Sequence, residues 1–552
     1  MTRLSVEEEG ESVSKVPPLL EAGNQEPSYQ FEQLEYDSLL SHSQNDAKPD
    51  LAFPNVDRKY MAKIKLVNDA LQDIGMGKFQ WTLFFVTGLG WFFDNFWMFA
   101  ISLISLPVKR EFHIDKIGYL IFYKYIGLIL GSGFWPLVAD IYGRSIAFNF
   151  TLFMSGVSGL LAGFMPSYST LNFMMVCIGF ATGGNQPVDS MLFIELIPAL
   201  HQHLLLYESA FWGLGLFSAA IIGWPLVVNY TCGQDSDCGY DDNLGWRYAY
   251  WTYGVLTLTL ASLRRFATIY ESPKFYISRG NNDKAVKIVQ SIAARNNTQS
   301  VLTVDDLDEI DQQYGSDLLE HQPTSNKRML INKYLENYQG WRLLFQTKEL
   351  ATTTSLLWLI WGFCGLAFPL FSGFLPFYLQ WKGQTGNENG TNHDLLNNTY
   401  RNYAIQAVFS IPSGIIGGYL ANHRYVGRKG VGLLGGVSTG IFMYLFIYST
   451  PRKSNSIFSA YLFYNCMISF VTTFIYGAMY SYTPEIYPVP LRGIATATCS
   501  VFNRVCGLIG PIISLYLNIS NGQPVFLSGA LFMVAGLLFL ALPYETRGRA
   551  AS

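Results

Sequence analysis

Long apolar stretches separated by short polar segments run along most of the chain. We count twelve such stretches, each of roughly the twenty residues that a helix needs to cross the hydrocarbon core of a bilayer. The pattern predicts an all-α polytopic membrane protein with twelve transmembrane helices. The predicted spans are 79–104, 117–140, 146–165, 171–197, 204–228, 248–270, 351–379, 402–421, 431–449, 456–482, 492–517 and 524–543.

Polar segments divide the chain at its ends and in its middle. The tail before the first span ends in the pattern of an amphipathic helix, with Ile64, Val67, Leu71 and Ile74 on one side. A long polar insert separates the sixth span from the seventh. The predicted units are a tail at 1–75 with the amphipathic helix near 63–74, a six-helix bundle at 76–270, the insert at 271–350, a second six-helix bundle at 351–545 and a short tail at 546–552.

The distribution of basic residues predicts which side of the membrane each loop faces. Lysine and arginine are densest in the insert and just before it, and cytosolic loops carry an excess of these residues. We therefore place the insert and both termini in the cytosol. The basic residues are Arg264, Arg265, Lys274, Arg279, Lys284, Lys287, Lys327 and Arg328.

The loops assigned to the outside carry signals of a secretory compartment. One of them contains Cys232 and Cys238, which either close a small disulfide or remain two free thiols. N-glycosylation is expected in these loops, because four Asn-x-Ser/Thr sequons fall there. The sequons are at Asn229, Asn389, Asn397 and Asn518.

Composition and motifs exclude several classes of protein. Charged residues make up 14 % of the chain and the formal net charge is −3, whereas soluble domains carry about 25 % charged residues. Nothing in this balance favours a nucleic-acid partner. The sequence shows no nucleophile–base pair, no zinc-type cysteine spacing and no phosphate-binding loop. We therefore expect no enzyme, no cofactor and no metal site, but a monomer embedded in the lipid bilayer.

A short motif in the N-terminal tail predicts sorting between membranes. Glu35, Leu39 and Leu40 form a pattern similar to the acidic dileucine signals that sorting adaptors bind. Adaptor complexes are therefore expected partners of the tail. The motif leaves the plasma membrane and a vacuolar or endosomal membrane both open.

The two bundles repeat the same polar signals in the same order. In each bundle a Gly-Arg pair follows the second span, one glutamate ends the fourth span and another follows the sixth. Two parallel six-helix halves form a known transporter architecture, with the solute site between them near the membrane midplane. The repeated residues are Asp140, Gly143, Arg144, Glu195 and Glu271 in the first bundle and Gly427, Arg428, Glu485 and Glu545 in the second.

The repeated residues predict ion pairs at the cytosolic helix ends. Arginine hydrogen-bonds the carbonyls of a helix C-terminus or pairs with carboxylates, and the four glutamates are its natural partners. Such a network would hold the cytosolic side closed and open for release of a solute. The alternative is that these charges only anchor the loops at the interface.

Ionisable residues inside the predicted spans define a candidate site. A charge in the centre of a span costs about 3 kcal/mol on insertion scales, so such residues are functional candidates by default. Asp94 is predicted in the outer half of the first span, and Asp189 lies on a polar face of the fourth span. We predict that the site for solute or proton is formed by Asp94, Asn95, Trp97, Lys124, Asn185, Gln186, Asp189, Trp361, Asn503 and Arg504.

The charge of the solute stays open at this point. Asp94 suits a proton or a cationic group, whereas Arg504 suits an anion. The alternative for Asp94 is a structural pair with a neighbouring cation, and the alternative for Lys124 is a side chain that reaches the interface.

Several motifs resemble those of the major facilitator superfamily. Residues 139–144, with Asp140, Gly143 and Arg144, resemble its signature between spans two and three, and the segments 271–274 and 544–549 resemble two sugar-porter signatures. The closer resemblance is to the synaptic-vesicle-2-like group, which includes niacin and organic cation transporters and fungal members of unknown substrate. It is carried by the segments 74–80, 90–95, 183–189 and 482–488.

The resemblance implies the major facilitator fold and a secondary active transporter. We expect alternating access for a small organic solute, such as an organic acid, an organic cation or a vitamin-like compound, coupled to protons through Asp94 or Asp189. Many relatives carry an arginine where this chain has Met175, so a proton relay through that position is not expected. The rival interpretation is a non-transporting vesicle or sensor protein that retains the fold.

Overall fold

The fold is known from a computed structural model. It describes residues 58–114, 118–232, 238–267, 269–313, 342–375, 377–380, 392–449, 460–487, 489–514, 516–517 and 522–546. The predicted sorting signal at Glu35, Leu39 and Leu40, the sequons at Asn389 and Asn518, the basic pair at Lys327 and Arg328 and the end of the C-terminal tail lie outside these ranges.

The described residues form helices and no strands. In chain order the helices are α1 (Arg58–Ile74), α2 (Lys78–Glu111), α3 (Gly118–Tyr142), α4 (Arg144–Ala162), α5 (Tyr168–Leu196), α6 (Leu204–Tyr207), α7 (Ala210–Asn229), α8 (Gly245–Phe266), α9 (Pro273–Ile277), α10 (Asn282–Arg295), α11 (Val304–Gln313), α12 (Lys348–Phe371), α13 (Asn392–Asn422), α14 (Gly427–Tyr448), α15 (Ala460–Ile486), α16 (Val489–Ser514) and α17 (Gln523–Ala541).

Twelve of these helices correspond to the twelve apolar segments. Within the described ranges, ten helices are long and apolar enough to cross a membrane. The other two long helices are α5, with 29 residues, and α8, with 22 residues. Both carry charged residues within the span, and Asp189 on α5 and Arg264 on α8 form an ion pair inside the protein. The all-α architecture predicted from the sequence is confirmed.

Helix α2 is longer than its apolar pattern predicts. The pattern ends near residue 104, but α2 continues through Pro107 to Glu111 and has 34 residues. Asp94 therefore lies at the middle of the helix, whereas the shorter predicted span places it beyond its middle. Arg247 explains the extension, because its guanidinium pairs with Glu111 at 2.5 Å and stabilises the final turn.

The insert contains helices that the sequence analysis does not predict. In α10, Val286, Val289 and Ile292 are buried at helical spacing. The Asn281 side chain caps this helix by accepting a hydrogen bond from Lys284 N at 3.1 Å. The amphipathic helix α1 packs against α9, α10 and α11, and it buries the apolar face predicted from the sequence. The helices of the insert and α1 therefore form one helical layer.

Two pairs of helices make the most extensive contacts between the two bundles. Helix α7 of the first bundle packs against α13 of the second, and α3 packs against α16. Within the first bundle, α3 and α5 approach backbone to backbone, since a Cβ atom at Gly179 would lie 2.1 Å from the Lys124 carbonyl oxygen. This close contact fits the small-residue packing expected from Gly179 and Gly183, and it holds Lys124 at the boundary between the bundles.

Candidate functional site

A cavity of about 110 Å³ lies between the two bundles. Five of the ten predicted site residues line this cavity. The first bundle contributes Asp94 and Asn95 from α2 and Lys124 from α3, and the second bundle contributes Asn503 and Arg504 from α16. These residues lie far apart in the sequence and meet only because the two bundles face each other.

The cavity holds two cations and one carboxylate. Lys124 and Arg504 are only 1 % and 5 % exposed. Within the described residues, neither cation lies within 4.0 Å of a carboxylate oxygen. The Arg504 guanidinium donates a hydrogen bond to the Ser500 hydroxyl. With all three groups ionised the cavity carries a net charge of about +1, by simple formal counting.

Aromatic side chains close the cavity on the side toward the start of α2. Trp91 and Trp212 from the first bundle meet Tyr480 from the second, with ring centroids 5.5 Å and 5.4 Å from the tyrosine ring. Trp361 lies on the other side of Tyr480 at 4.6 Å. We call Trp91, Trp212, Trp361 and Tyr480 the inner aromatic layer, because it lies on the side of the cavity assigned to the cytosol.

Contacts between the bundles also close the opposite side. The Phe99 and Tyr403 rings stack with centroids 4.0 Å apart. The Tyr400 hydroxyl donates a hydrogen bond to the Leu103 carbonyl at 2.7 Å. We call these four residues the outer contact layer. The cavity therefore lies between two sets of contacts that both join the first bundle to the second.

Two predicted site residues do not line the cavity because they face other helices. Trp97 is fully buried within the first bundle, where its ring lies 5.9 Å from Tyr250. Asp94 and Asn95 face the cavity, whereas Trp97 faces α8. Trp361 belongs to the inner aromatic layer, where its indole nitrogen donates a hydrogen bond to Thr483 at 2.9 Å.

The predicted polar residues of α5 do not line the cavity either. Asn185 is fully buried inside the first bundle, and Gln186 faces the Tyr480 hydroxyl. Asp189 pairs with Arg264 at 2.8 Å. The assignment of Arg264 to the basic cytosolic surface is wrong, because this arginine is buried on the inner face of α8 against Asp189.

The gating candidates of the first bundle form one cluster. Arg144 Nη1 lies 2.5 Å from Glu195 and its Nη2 lies 4.0 Å from Asp140. Glu271 accepts hydrogen bonds from the backbone nitrogens of Arg144 and Ser145, both at 2.9 Å, and so caps the start of α4. A carboxylate is favoured at a helix N-terminus, where the free N–H groups carry a partial positive charge.

The second bundle repeats this arrangement at the equivalent position. Arg428 pairs with Glu485 through Nε and Nη2 at 3.2 and 3.3 Å. Glu545 accepts hydrogen bonds from the backbone nitrogens of Arg428 and Lys429 at 2.8 and 3.1 Å. The glycine before each arginine has a positive φ, +106° at Gly143 and +63° at Gly427. A side chain there would be strained, and it would also collide with the capping glutamate.

Each cluster lies within its own bundle, so these ion pairs do not themselves join the two halves. Arg492, which the sequence analysis misses, is better placed for that role. It lies at the start of α16 and interacts electrostatically with Glu485 of its own bundle and Glu195 of the other. Lys274 on α9 also faces Glu195. Burial, opposed by the attraction of Glu195 and aided by the nearby Arg492 and Arg144, lowers the pKa of Lys274 to about 8.

The loop between α7 and α8 contains the predicted cysteine pair. Cys232 and Cys238 are bonded to each other, with Cα atoms 5.9 Å apart, a separation typical of disulfides. Of the two sequons in the described ranges, Asn229 is exposed at the end of α7. Asn397 instead lies within α13 and accepts a hydrogen bond from Trp224 at 2.8 Å, a position that disfavours a glycan.

Comparison with known proteins agrees with this architecture. The sequence model of the family "Sugar (and other) transporter" matches residues 116–550. The chain is 37 % identical over 513 residues to an uncharacterized MFS-type transporter of Schizosaccharomyces pombe, and the match covers 90 % of each protein. It is 38 % identical over 498 residues to the MFS siderochrome iron transporter 1 of Ceriporiopsis subvermispora, covering 90 % of this chain and 93 % of the other.

A solved structure shares the fold. The proton:xylose symporter XylE bound to 6-bromo-6-deoxy-D-glucose aligns with a TM-score of 0.61 at 16 % identity, over 86 % of this chain and 97 % of the other. This likeness concerns the fold alone. Two bundles around a central cavity, the repeated clusters and the family match lead to one conclusion. The chain belongs to the sugar (and other) transporter family of the major facilitator superfamily, as a multi-pass membrane transporter of small solutes and not an enzyme.

Proposed function

We propose that this transporter carries a small organic anion together with protons, by alternating access. The observation that supports the proposal is the charge of the cavity, where Lys124 and Arg504 outnumber Asp94. A solute carboxylate would supply the missing negative charge. The proposal thus chooses the anion from the two solute charges that the sequence left open.

The same charges suggest why proton and anion binding would be coupled. When Asp94 is ionised it offsets one of the two cations. When Asp94 binds a proton, both cations attract the anion. Charges 4 Å apart interact by about 4 kcal/mol at an effective dielectric constant of 20, so each of the two ligands would strengthen binding of the other.

The cavity lining also limits the size and shape of the solute. Tyr125, Phe368 and Tyr476 present aromatic surfaces to the same space as the charged groups. Flat apolar groups pack well on such surfaces. A volume of about 110 Å³ favours a compact solute, so we propose a small carboxylic acid with an unsaturated or aromatic part.

Release to the cytosol would require separation of contacts below the cavity. Opening that side would separate Trp91 and Trp212 from Tyr480, and it would separate Arg492 from Glu195. The Arg144 and Arg428 clusters would move with their own bundles and keep the short loops folded. In this proposal Arg492 contributes the electrostatic attraction between the halves. The Arg144 and Arg428 clusters fix the positions of Glu195 and Glu485, which Arg492 faces.

The proposed orientation follows from the positive-inside rule. Both termini and the insert would face the cytosol, and the loop with Cys232 and Cys238 would face the outside. We further propose that Asn229 carries the glycan of that loop and that the N-terminal tail binds sorting adaptors.

Uptake into vesicles reconstituted with the full chain tests the function. Small carboxylic acids should accumulate when the outside is acidic, and matched amines should not. Arg504→Gln should lower uptake of the acids at least tenfold. Arg265→Gln, which removes an exposed cation of the same chemistry, should leave uptake unchanged.

A second variant separates coupling from binding. Asp94→Asn should still exchange labelled for unlabelled solute across the membrane, but it should lose accumulation driven by a pH gradient. Amine accumulation without acid accumulation would contradict the anion assignment. Absence of any uptake from a broad panel would favour the rival interpretation of a sensor that retains the fold.

A further inference from the structure

We propose that Glu208 carries a proton in this conformation and that, with Asp189 and Arg264, it forms a second proton-binding site outside the central cavity. The inference deepens the proposed proton coupling and rests on it for its role in transport. The protonation of Glu208 itself rests on hydrogen-bond geometry and charge, which are independent of any solute.

The position of Glu208 differs from that of the cavity residues. It lies between α6 and α7, is 0 % exposed, and does not line the cavity. The Thr87 side chain of α2 reaches it from the neighbouring helix. Asp189 from α5 and Arg264 from α8 are the charged groups that face it.

Hydrogen-bond geometry around Thr87 is consistent with a proton on Glu208. Thr87 Oγ1 lies 2.7 Å from the Leu83 carbonyl oxygen and 2.6 Å from Glu208 Oε1. A threonine hydroxyl has one hydrogen, a carbonyl can only accept, and an ionised carboxylate can only accept. If Thr87 donates to Leu83, the short contact to Glu208 is a hydrogen bond only when Glu208 is protonated and donates.

The charge of the cluster leads to the same conclusion. Asp189 and Arg264 neutralise each other at 2.8 Å, and both side chains are 0 % exposed. If Glu208 were ionised, the cluster would hold two carboxylates, Asp189 and Glu208, but only one cation, Arg264. A buried charge without a partner is strongly unfavourable, and such a group binds a proton instead.

The second bundle separates this site from the cytosolic side. A Cβ atom at Gly414 of α13 would lie 2.3 Å from Ala210 N, and Gly418 lies against the Tyr207 ring. Gly477 of α15 lies against Ser209. The segment that carries Glu208 is thus covered by helices that move away when the cytosolic side opens.

Opening would therefore let water reach Glu208. The O–H bond of the acid then breaks, the proton passes to cytosolic water, and the electron pair stays on the carboxylate. Arg264 would then face two carboxylates, Asp189 and Glu208. Return of the second bundle would exclude water again and favour uptake of a proton before or during closure.

Infrared spectroscopy of the purified full-length protein tests the proposal without a solute. Protonated carboxylic acids show a carbonyl band that ionised carboxylates lack. The wild type at neutral pH should show a band that disappears in Glu208→Gln and remains in Glu309→Gln, which changes an exposed glutamate. Persistence of every such band in Glu208→Gln would overturn the proposal.

A second variant tests the proposal even if Glu208→Gln fails to fold. Thr87→Val removes the hydrogen-bond acceptor but keeps Glu208, so the same band should remain and shift to higher frequency. A Thr87→Val protein without that shift would also overturn the proposal. Failure of these infrared results leaves the Asp94 uptake experiments untouched, so the second proton site and the proposed function can fail separately.

Discussion

At the scale of single residues, Gly90 determines whether the buried ion pair of the first bundle can form. A Cβ atom at Gly90 would lie 1.7 Å from Asp189 Oδ2. The Asp189 carboxylate, which pairs with Arg264, occupies the space that a side chain at position 90 would fill. The pair is therefore possible only because this position lacks a side chain.

Gly90→Ala should displace Asp189 and separate it from Arg264. Loss of one partner from a buried pair costs about 3–5 kcal/mol, so the thermal unfolding midpoint in detergent should fall by several degrees. Gly133→Ala is the matched control, because a Cβ atom there meets nothing within 4 Å. Equal midpoints for the two variants would show that α2 and α5 can separate at little cost.

At the scale of helices, α1 is held to the insert by one carboxylate. Lys59 and Lys63 lie 2.9 and 2.6 Å from Asp311 Oδ1, and Asn282 donates to Asp311 Oδ2 at 2.9 Å. Partial burial raises the pKa of Asp311, but these hydrogen bonds outweigh burial and lower the pKa to about 2.

The low pKa predicts how the contact between α1 and α11 responds to acid. In the unfolded chain an aspartate has a pKa of about 3.9, so the native value is depressed. Its stabilising effect is fully present above about pH 4 and is lost as the pH falls through about 2. Hydrogen exchange of α1, corrected for intrinsic rates, should show constant protection from pH 5 to 7 in the wild type. Asp311→Asn should lower that protection throughout this range, and an equal protection in the two proteins would contradict the assignment.

A second contact links the insert to the first transmembrane helix. Asn296 accepts a hydrogen bond from Phe79 N at 2.9 Å and donates one to Gln80 Oε1 at 2.7 Å. It therefore satisfies a backbone N–H at the start of α2, which has no partner inside the helix.

Asn296→Ala should loosen the start of α2 without unfolding the bundle. Loss of a cap of this kind costs about 1 kcal/mol, so amide exchange near Phe79 should become several-fold faster. Gln290→Ala, at an exposed position of α10, should leave that exchange unchanged. Unchanged exchange in both variants would mean that the contact does not hold the helix start.

The sequence predicts the helices in the membrane better than those in the insert. Apolar runs of about twenty residues are strong signals, and they locate all twelve long helices. The helices of the insert are short, and a brief helical spacing of apolar residues such as Val286, Val289 and Ile292 is easily read as a loop. The end of α2 was missed because Pro107 and charged residues normally end a membrane span, whereas here Arg247 stabilises Glu111.

At the scale of the whole molecule, the cavity lies between two layers of contacts that join the bundles. Alternating access requires that one layer opens while the other stays closed. In the outer contact layer the stacked pair of Phe99 and Tyr403 provides the broadest contact between rings. Weakening this pair should favour the conformation that opens to the outside.

Tyr403→Ala should therefore expose the cavity to reagents added from outside. Ser469 lines the cavity, so a Ser469→Cys background reports access through its labelling by a membrane-impermeant thiol reagent. Labelling should become several-fold faster when Tyr403→Ala is added. Tyr403→Phe keeps the stacked ring and should label as slowly as the background, and equal rates in all three proteins would exclude this layer as a barrier.

The sequence also predicts the core of the candidate site but not its limits. Asp94, Lys124 and Arg504 are recognisable because charges within apolar spans are rare. The sequence does not exclude Trp97 and Trp361, which lie outside the cavity lining, because spacing alone does not fix the rotation of a largely buried helix about its axis. Glu208 and Arg492 were missed because they lie near helix ends, where charged residues are common and have no distinctive pattern.

Arg144 and Arg428 each find their carboxylate partners within their own bundle, so neither of these arginines needs a carboxylate of the other half. A transporter expressed as two separate polypeptides, divided between residues 314 and 341, should therefore reassemble through the α3–α16 and α7–α13 contacts. Co-purification of the fragments would report that assembly, and the same division would allow each half to be labelled independently for spectroscopy.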